Sequence, residues 1–448
     1  MRGLFWWLAL GVSTAAWGQR PYDDAPPTHP GGQITVEAGE RTAGGRRLHD
    51  HTELRFEAGA LVRLEGPLYG SNATNITVSG PGRLQTEGTE GAVRLENCRN
   101  VALSGLHLQA SRGPLIVLKN CENVRLESLT IDAAGAEHAA ITLIGCEGVT
   151  LHDVRIEGHG TALRVDGGRD VDVRGGTWAA AVGAYVTAGR AVHFADLTLR
   201  TTTAGLWVRP HAGTTVAHLT ADRITFEDLP ADFGAATSGF PVCVDAARAR
   251  PGEAPGTVRD VAFRDCYTAS AHGWLLQGSP DCPLAGVSLS RLRFQGEFIA
   301  PHLARRRPTV EAGGPLTPQD TTYAMCPAWV TVAHAVDLSV DGLRTLHAPP
   351  PAPDQERHAL AAHHTEGLNL RDVYRRSAAD ALAVVRLHDC RRALLTNCLP
   401  TEQTLRFLHL SGTRTGGVSL IGNVLTDVAE PIYQAPEVYR NAVEGTLR

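Results

Sequence analysis

The chain has 448 residues, 43% of them hydrophobic and 20% charged, which supplies a large core and excludes wholesale disorder. A formal net charge of −5 and a pI near 6.4 exclude a strongly basic nucleic-acid binder and a polybasic membrane patch. Lysine occurs once, at Lys119, so chemistry that needs a lysine has nowhere else to sit.

The chain opens with Arg2, an apolar run over 4–12 and a small-residue exit through Ala16, Trp17 and Gly18. This layout predicts a secretory signal peptide over 1–18 and an exported protein, secreted or periplasmic. The run falls short of the ~20 residues a membrane span needs, and no later segment is apolar enough to span. Residues 19–71 are expected to form an N-terminal cap with leading strands, because bare coil edges would pair with other chains.

From residue 72 one line of sequence recurs. It reads Asn97-Cys98-Arg99-Asn100-Val101, then Asn120-Cys121-Glu122-Asn123-Val124, then Gly145-Cys146-Glu147-Gly148-Val149. The column starts at Ile76 and continues through Val171, Val192 and Val216, with gaps of 25, 23, 25, 22, 21 and 24 residues. It resumes at Val261, Val287, Val336, Leu368, Leu394 and Val418. Each unit holds short alternating β-branched runs between Gly, Asn or Asp corners, which leaves no room for an ordinary helix. The units lack the LxxLxLxxN spacing of leucine-rich repeats. Residues 72–430 are therefore predicted to form an all-β, single-stranded right-handed parallel β-helix of about 12–13 coils. Insertions are placed near 230–256, 302–322 and 349–357, with a C-terminal tail over 431–448.

Nine cysteines is an odd count, so the exported chain cannot pair them all internally. Cys98, Cys121 and Cys146 share a column and are expected to be buried, reduced thiols. Asn97 and Asn120 beside them read as a short asparagine ladder.

Counting back eight and six residues from the column gives Val93/Leu95, Ile116/Leu118, Ile141/Leu143, Leu163/Val165 and Ala184/Val186, all apolar and so inward-facing. The residues between and after them are expected to face solvent. Arg164, Tyr185 and Trp207 then stack on one exposed strip, flanked by Asp166 and Arg209 with His211 nearby. Exposed aromatics beside arginines suit a sugar ring carrying a carboxylate.

At this level of detail the chain resembles glycoside hydrolase family 28, the polygalacturonases and their relatives. The resemblance rests on Gly39 with Leu54-Arg55-Phe56-Glu57-Ala58-Gly59-Ala60, and on Asn75-Ile76-Thr77-Val78-Ser79-Gly80-Pro81-Gly82. It continues through Asn120–Val124 with Ile131-Asp132-Ala133, Val258–Asp265, and Gly278-Ser279-Pro280. It implies a right-handed β-helix acting on a pectin-type or uronate-containing polysaccharide. The family's NTD and GDD segments supply three catalytic aspartates. Aligned by the column they fall on Glu137-His138-Ala139 and Gly158-His159-Gly160, so all three are missing. The family's GHG position falls on Ala181-Val182-Gly183, and its RIK on Trp207-Val208-Arg209, which keeps a cation at Arg209.

Three readings stay open. A hydrolase could use Glu137 and Glu157 as acid and base. A uronate lyase would need a proton abstractor such as His159 or Tyr185, with Arg164 or Arg209 neutralising the carboxylate. A non-catalytic polysaccharide-binding β-helix needs neither. No phosphate-cradling loop supports a nucleic-acid or nucleotide partner, no metal-ligand cluster is visible, no cofactor is called for, and a monomer is expected.

Overall fold

The structure, a computed structural model, describes residues 32–445 except 111, 134–137, 159, 230–239, 247–253, 271–272, 296–327, 347–357, 376–382, 401–403, 427 and 441. The signal peptide, Glu137, His159 and the insertions near 302–322 and 349–357 lie outside the described residues, as does most of that near 230–256.

The described residues are all β, with every strand-to-strand pairing parallel. Each turn contributes one strand to each of three sheets, which close around a single continuous apolar core. The column sheet runs through Thr74–Ser79, Arg99–Ser104, Glu122–Glu127 and Glu147–His152. The back sheet runs through Arg83–Thr86, His107–Ala110, Thr130–Ala133 and Arg155–Gly158. The front sheet runs through Leu68–Ser71, Val93–Glu96, Ile116–Lys119 and Ala139–Ile144. The stack begins ahead of Ile76: Gln33–Val36 pairs Glu53–Phe56, which pairs the Thr74–Ser79 strand. It continues past Val418 to Val443–Gly445.

A left-handed residue directly before each column residue turns the chain onto the column sheet. Asn75, Asn100, Asn123, Asp170, Asp260 and Asp337 all sit near φ +50° to +58°, a conformation that short amide and carboxylate side chains tolerate best. This corner corrects the repeat at three turns. Leu219, Leu338 and Ala393 follow the left-handed His218, Asp337 and Arg392, and they occupy the column in place of Val216, Val336 and Leu394.

The corner chemistry anticipated for Asn97 and Asn120 is present and doubled. Asn97 Nδ2 donates to Asn72 Oδ1 at 3.1 Å and Asn120 Nδ2 to Asn97 Oδ1 at 3.2 Å. A second ladder joins Asn100 to Asn75 at 3.0 Å and Asn123 to Asn100 at 3.4 Å. Asn97→Ala removes a donor and an acceptor and puts a Cβ-only side chain at φ 53°. The expected loss is about 1–2 kcal/mol, with a smaller loss for Asn97→Gly, read as shifts in the urea midpoint. Equal midpoints for both variants and the parent would count against the ladder.

Cys98, Cys121 and Cys146 are buried and unpaired, and their thiols contact backbone carbonyls of their own and preceding turns. The hydrogen bond Cys121 donates to Cys146, with burial, pushes the Cys121 thiol up to about 11, which suppresses its thiolate, the form needed for exchange. Peptide mapping under non-reducing conditions should recover all three as free thiols. A disulfide among them would refute the buried column.

The five inward pairs of the front sheet are fully buried. Its mid-section holds an aromatic cluster around Trp274, whose centroid lies 5.5, 5.1 and 5.4 Å from Phe226, Phe263 and Phe294. The indole N–H donates to Thr268 Oγ1 at 3.0 Å. No helix of the described residues is long and apolar enough to cross a membrane.

Candidate functional site

The outward rows of the front sheet have the expected register over the middle turns. Thr142, Arg164, Tyr185 and Trp207 are successive Cα partners, and Cys243, Leu275, Thr331 and Ala361 continue the row. A β-bulge after Val165 alters the second row, because Asp166 partners Ala188 and not Thr187. Thr187 is turned inward and fully buried, with its hydroxyl donating to the Val165 carbonyl at 3.3 Å.

Trp207 departs from its expected exposure. It is 4% accessible, with its ring edge-on to Tyr185 at 5.6 Å and 60°. The row beyond it explains why: Cys243, Leu275, Thr331 and Ala361 are small or apolar and buried, so the outward face stops being a solvated surface at Trp207. Tyr185 marks the transition, half-buried against the core.

Around Tyr185 the structure brings together Arg164, Asp166, Trp207 and Arg209, and it adds Asp245, which lies across an insertion from the repeats that define the column. Arg164 Nη2 lies 3.6 Å from Asp166 Oδ2, with both side chains partly exposed. Arg209 Nε lies 3.5 Å from Asp245 Oδ2, both mostly buried. Burial pushes the Asp245 carboxyl up, and Arg209 opposes that shift. Burial likewise pushes the Tyr185 phenol up, against the pull of Arg209 and Arg164. Arg164 Nε and Trp207 Nε1 are buried donors with no acceptor among the described residues, an uncommon state for a native donor.

The other sequence candidates stand apart. Glu157 lies on the back sheet, in register with Asp132 and Ala179, and accepts from Arg155 Nε at 3.1 Å. It therefore does not share the outward face that carries Arg164 and Tyr185. His211 is exposed at the turn after the front strand, where its N–H donates to the Thr187 carbonyl at 3.2 Å. Asp245 was reachable in principle as the residue two positions beyond Cys243, but the insertion before Phe240 breaks the count that would have found it.

No protein-family model and no curated protein sequence matches the chain. Solved structures do. A variant of the tailspike protein of E. coli bacteriophage HK620, in complex with a pentasaccharide, superposes with a TM-score of 0.53 at 11% identity, covering 92% of this chain and 74% of that one. A second variant of that tailspike, also with pentasaccharide, gives 0.52 at 11% identity over 87% and 74%. The exopolygalacturonase of Thermotoga maritima overlaps 59% of this chain and 80% of its own, with a TM-score of 0.48 at 14% identity. With its three parallel sheets, one strand of each per turn, and its left-handed corners, the chain is a parallel β-helix that superposes on the tailspike along most of its length.

Proposed function

We propose that this protein is exported and acts as a glycoside hydrolase-like β-helix on a uronate-containing polysaccharide of the pectin type, bound on the front sheet around Tyr185. One observation carries the reading: two arginines on separate turns, Arg164 and Arg209, flank the half-buried Tyr185 ring and both act on its phenol. A guanidinium forks onto a sugar carboxylate while the aromatic ring packs against the pyranose.

Catalysis, in this reading, falls to carboxylates other than the family's three aspartates. Asp245, buried and held protonated more readily than an ordinary carboxyl, suits a proton donor to a leaving oxygen. Arg209, 3.5 Å from Asp245, would sense both the acid and the substrate's charge.

Incubation with polygalacturonate tests this directly. Hydrolysis releases reducing ends without near-ultraviolet absorbance, and Asp245→Asn should lower that rate by roughly 100-fold or more. An absorbing unsaturated uronate would replace hydrolysis by elimination. Binding with no product would favour the non-catalytic reading, which the missing NTD and GDD aspartates support.

A further inference from the structure

The corner that carries the asparagine ladder near the start of the chain carries different chemistry near its end. His334, His364 and Asp389 occupy that row, each left-handed at φ 49–51°, and the backbone N–H of each donates to the next turn as those of Asn97 and Asn120 do. The residue before each belongs to the second outward row of the front sheet, which runs Asp245, Gln277, Ala333, His363, His388 and Ser411. Stacking thus brings residues one turn apart in sequence into contact.

We propose that His364, His388 and Asp389 form a binding site for a divalent first-row transition-metal ion of the zinc type. Their donor atoms lie within 4.8 Å of one another. His364 Nδ1 is 3.5 Å and His388 Nε2 is 3.8 Å from Asp389 Oδ2. Ligands at about 2.0–2.1 Å from a tetrahedral zinc stand about 3.4 Å apart, so a small inward movement closes the set.

The supporting contacts are those a metal site needs. The Arg414 backbone N–H donates to Asp389 Oδ1 at 2.9 Å, which fixes the carboxylate and leaves Oδ2 facing the two imidazoles. In the tautomer whose Nδ1–H donates to Ser411 Oγ at 3.0 Å, His388 keeps its Nε2 lone pair for the ion, and that outer hydrogen bond fixes the orientation of the ring. Gly412, at φ 85°, makes room for the carboxylate, since a Cβ there would stand 2.3 Å from Asp389 Oδ1. His363, 3% accessible, has no partner for either ring nitrogen among the described residues and packs 5.7 Å from the His388 ring. Two imidazoles and one carboxylate suit zinc, nickel, copper or iron better than calcium or magnesium, whose preferred ligands are all oxygen. Three protein ligands leave a position open for water or a ligand oxygen. The site lies four rungs along the row from Asp245, about 19 Å at ~4.8 Å per rung.

Calorimetric titration of the full chain, first stripped with a chelator, with zinc sulfate tests the site. One saturable zinc per chain is expected. His364→Asn and Asp389→Asn should each weaken it at least 10-fold; asparagine tolerates the left-handed corner, so both variants should fold. His218→Ala, which removes a histidine paired with Asp260 on another face, should leave the affinity unchanged. Cobalt substitution should give a visible absorption band that both asparagine variants lose. No saturable binding, or binding that both variants retain, would overturn the site.

Discussion

Arg209→Ala should destabilise the protein by about 3–5 kcal/mol at neutral pH, because it leaves the Asp245 carboxylate buried without its countercharge. The pH dependence follows from the direction of the Asp245 shift. Its folded-state pKa is raised by burial above the ordinary value of about 3.9. The folded state therefore holds the proton more tightly than the unfolded chain, and Asp245 costs stability progressively as pH rises through that interval. Arg209 limits the cost, so removing it extends the interval upward and deepens the loss. The gap between parent and variant should be smallest below about pH 4, where both states are protonated, and should widen toward neutrality. Adding Asp245→Asn to the variant should recover much of the loss at neutral pH. Urea titrations of the parent, both single variants and the double variant at acid and neutral pH measure the coupling. A pH-independent gap would show that Arg209 acts through packing alone.

Trp274→Ala should cost a similar amount, about 3–5 kcal/mol, for a different reason. The indole is fully buried between three phenylalanines contributed by neighbouring turns. Truncation opens a cavity in a core whose backbone is fixed by parallel pairing on every side, so little collapse can offset it. Trp274→Phe should recover part of the loss while still forfeiting the hydrogen bond to Thr268. Thermal unfolding should rank parent, Trp274→Phe and Trp274→Ala in that order. An alanine variant as stable as the parent would mean the cluster relaxes freely.

Most of the architecture is legible in the residues because the β-helix repeats its rules every turn. The alternation that buries Val93 and Leu95 also buries Leu163 and Val165, and a left-handed corner just before Ile76 or Val101 needs Asn, Asp or Gly. Two of the three register failures fall where another residue takes that corner. At His218 and Arg392 the sequence shows no turn former, and the neighbouring Val216 and Leu394 look like equally good column residues.

The site is less legible because exposure is a property of the whole face. Trp207 shares the pattern of Tyr185, and only the buried row from Cys243 to Ala361 reveals that it is covered. Asp245 and the His364–His388–Asp389 cluster are invisible for a related reason. His364 and the consecutive His388 and Asp389 come from turns more than twenty residues apart, and Asp245 lies beyond an insertion, so no local motif signals either group.

If the Arg164–Tyr185–Arg209 face recognises an acidic sugar, Arg164 is the residue to remove, because its side chain is partly exposed and its loss uncovers no buried charge. Titrate the parent and Arg164→Ala with an oligogalacturonide and with a neutral oligosaccharide of equal length. The parent should prefer the acidic ligand, and the variant should bind it roughly 10- to 100-fold more weakly, the loss of one charge-assisted contact of about 1.5–3 kcal/mol, with the neutral ligand little affected. Equal acidic-ligand affinity in the parent and in Arg164→Ala would show that this face does not recognise acidic sugars.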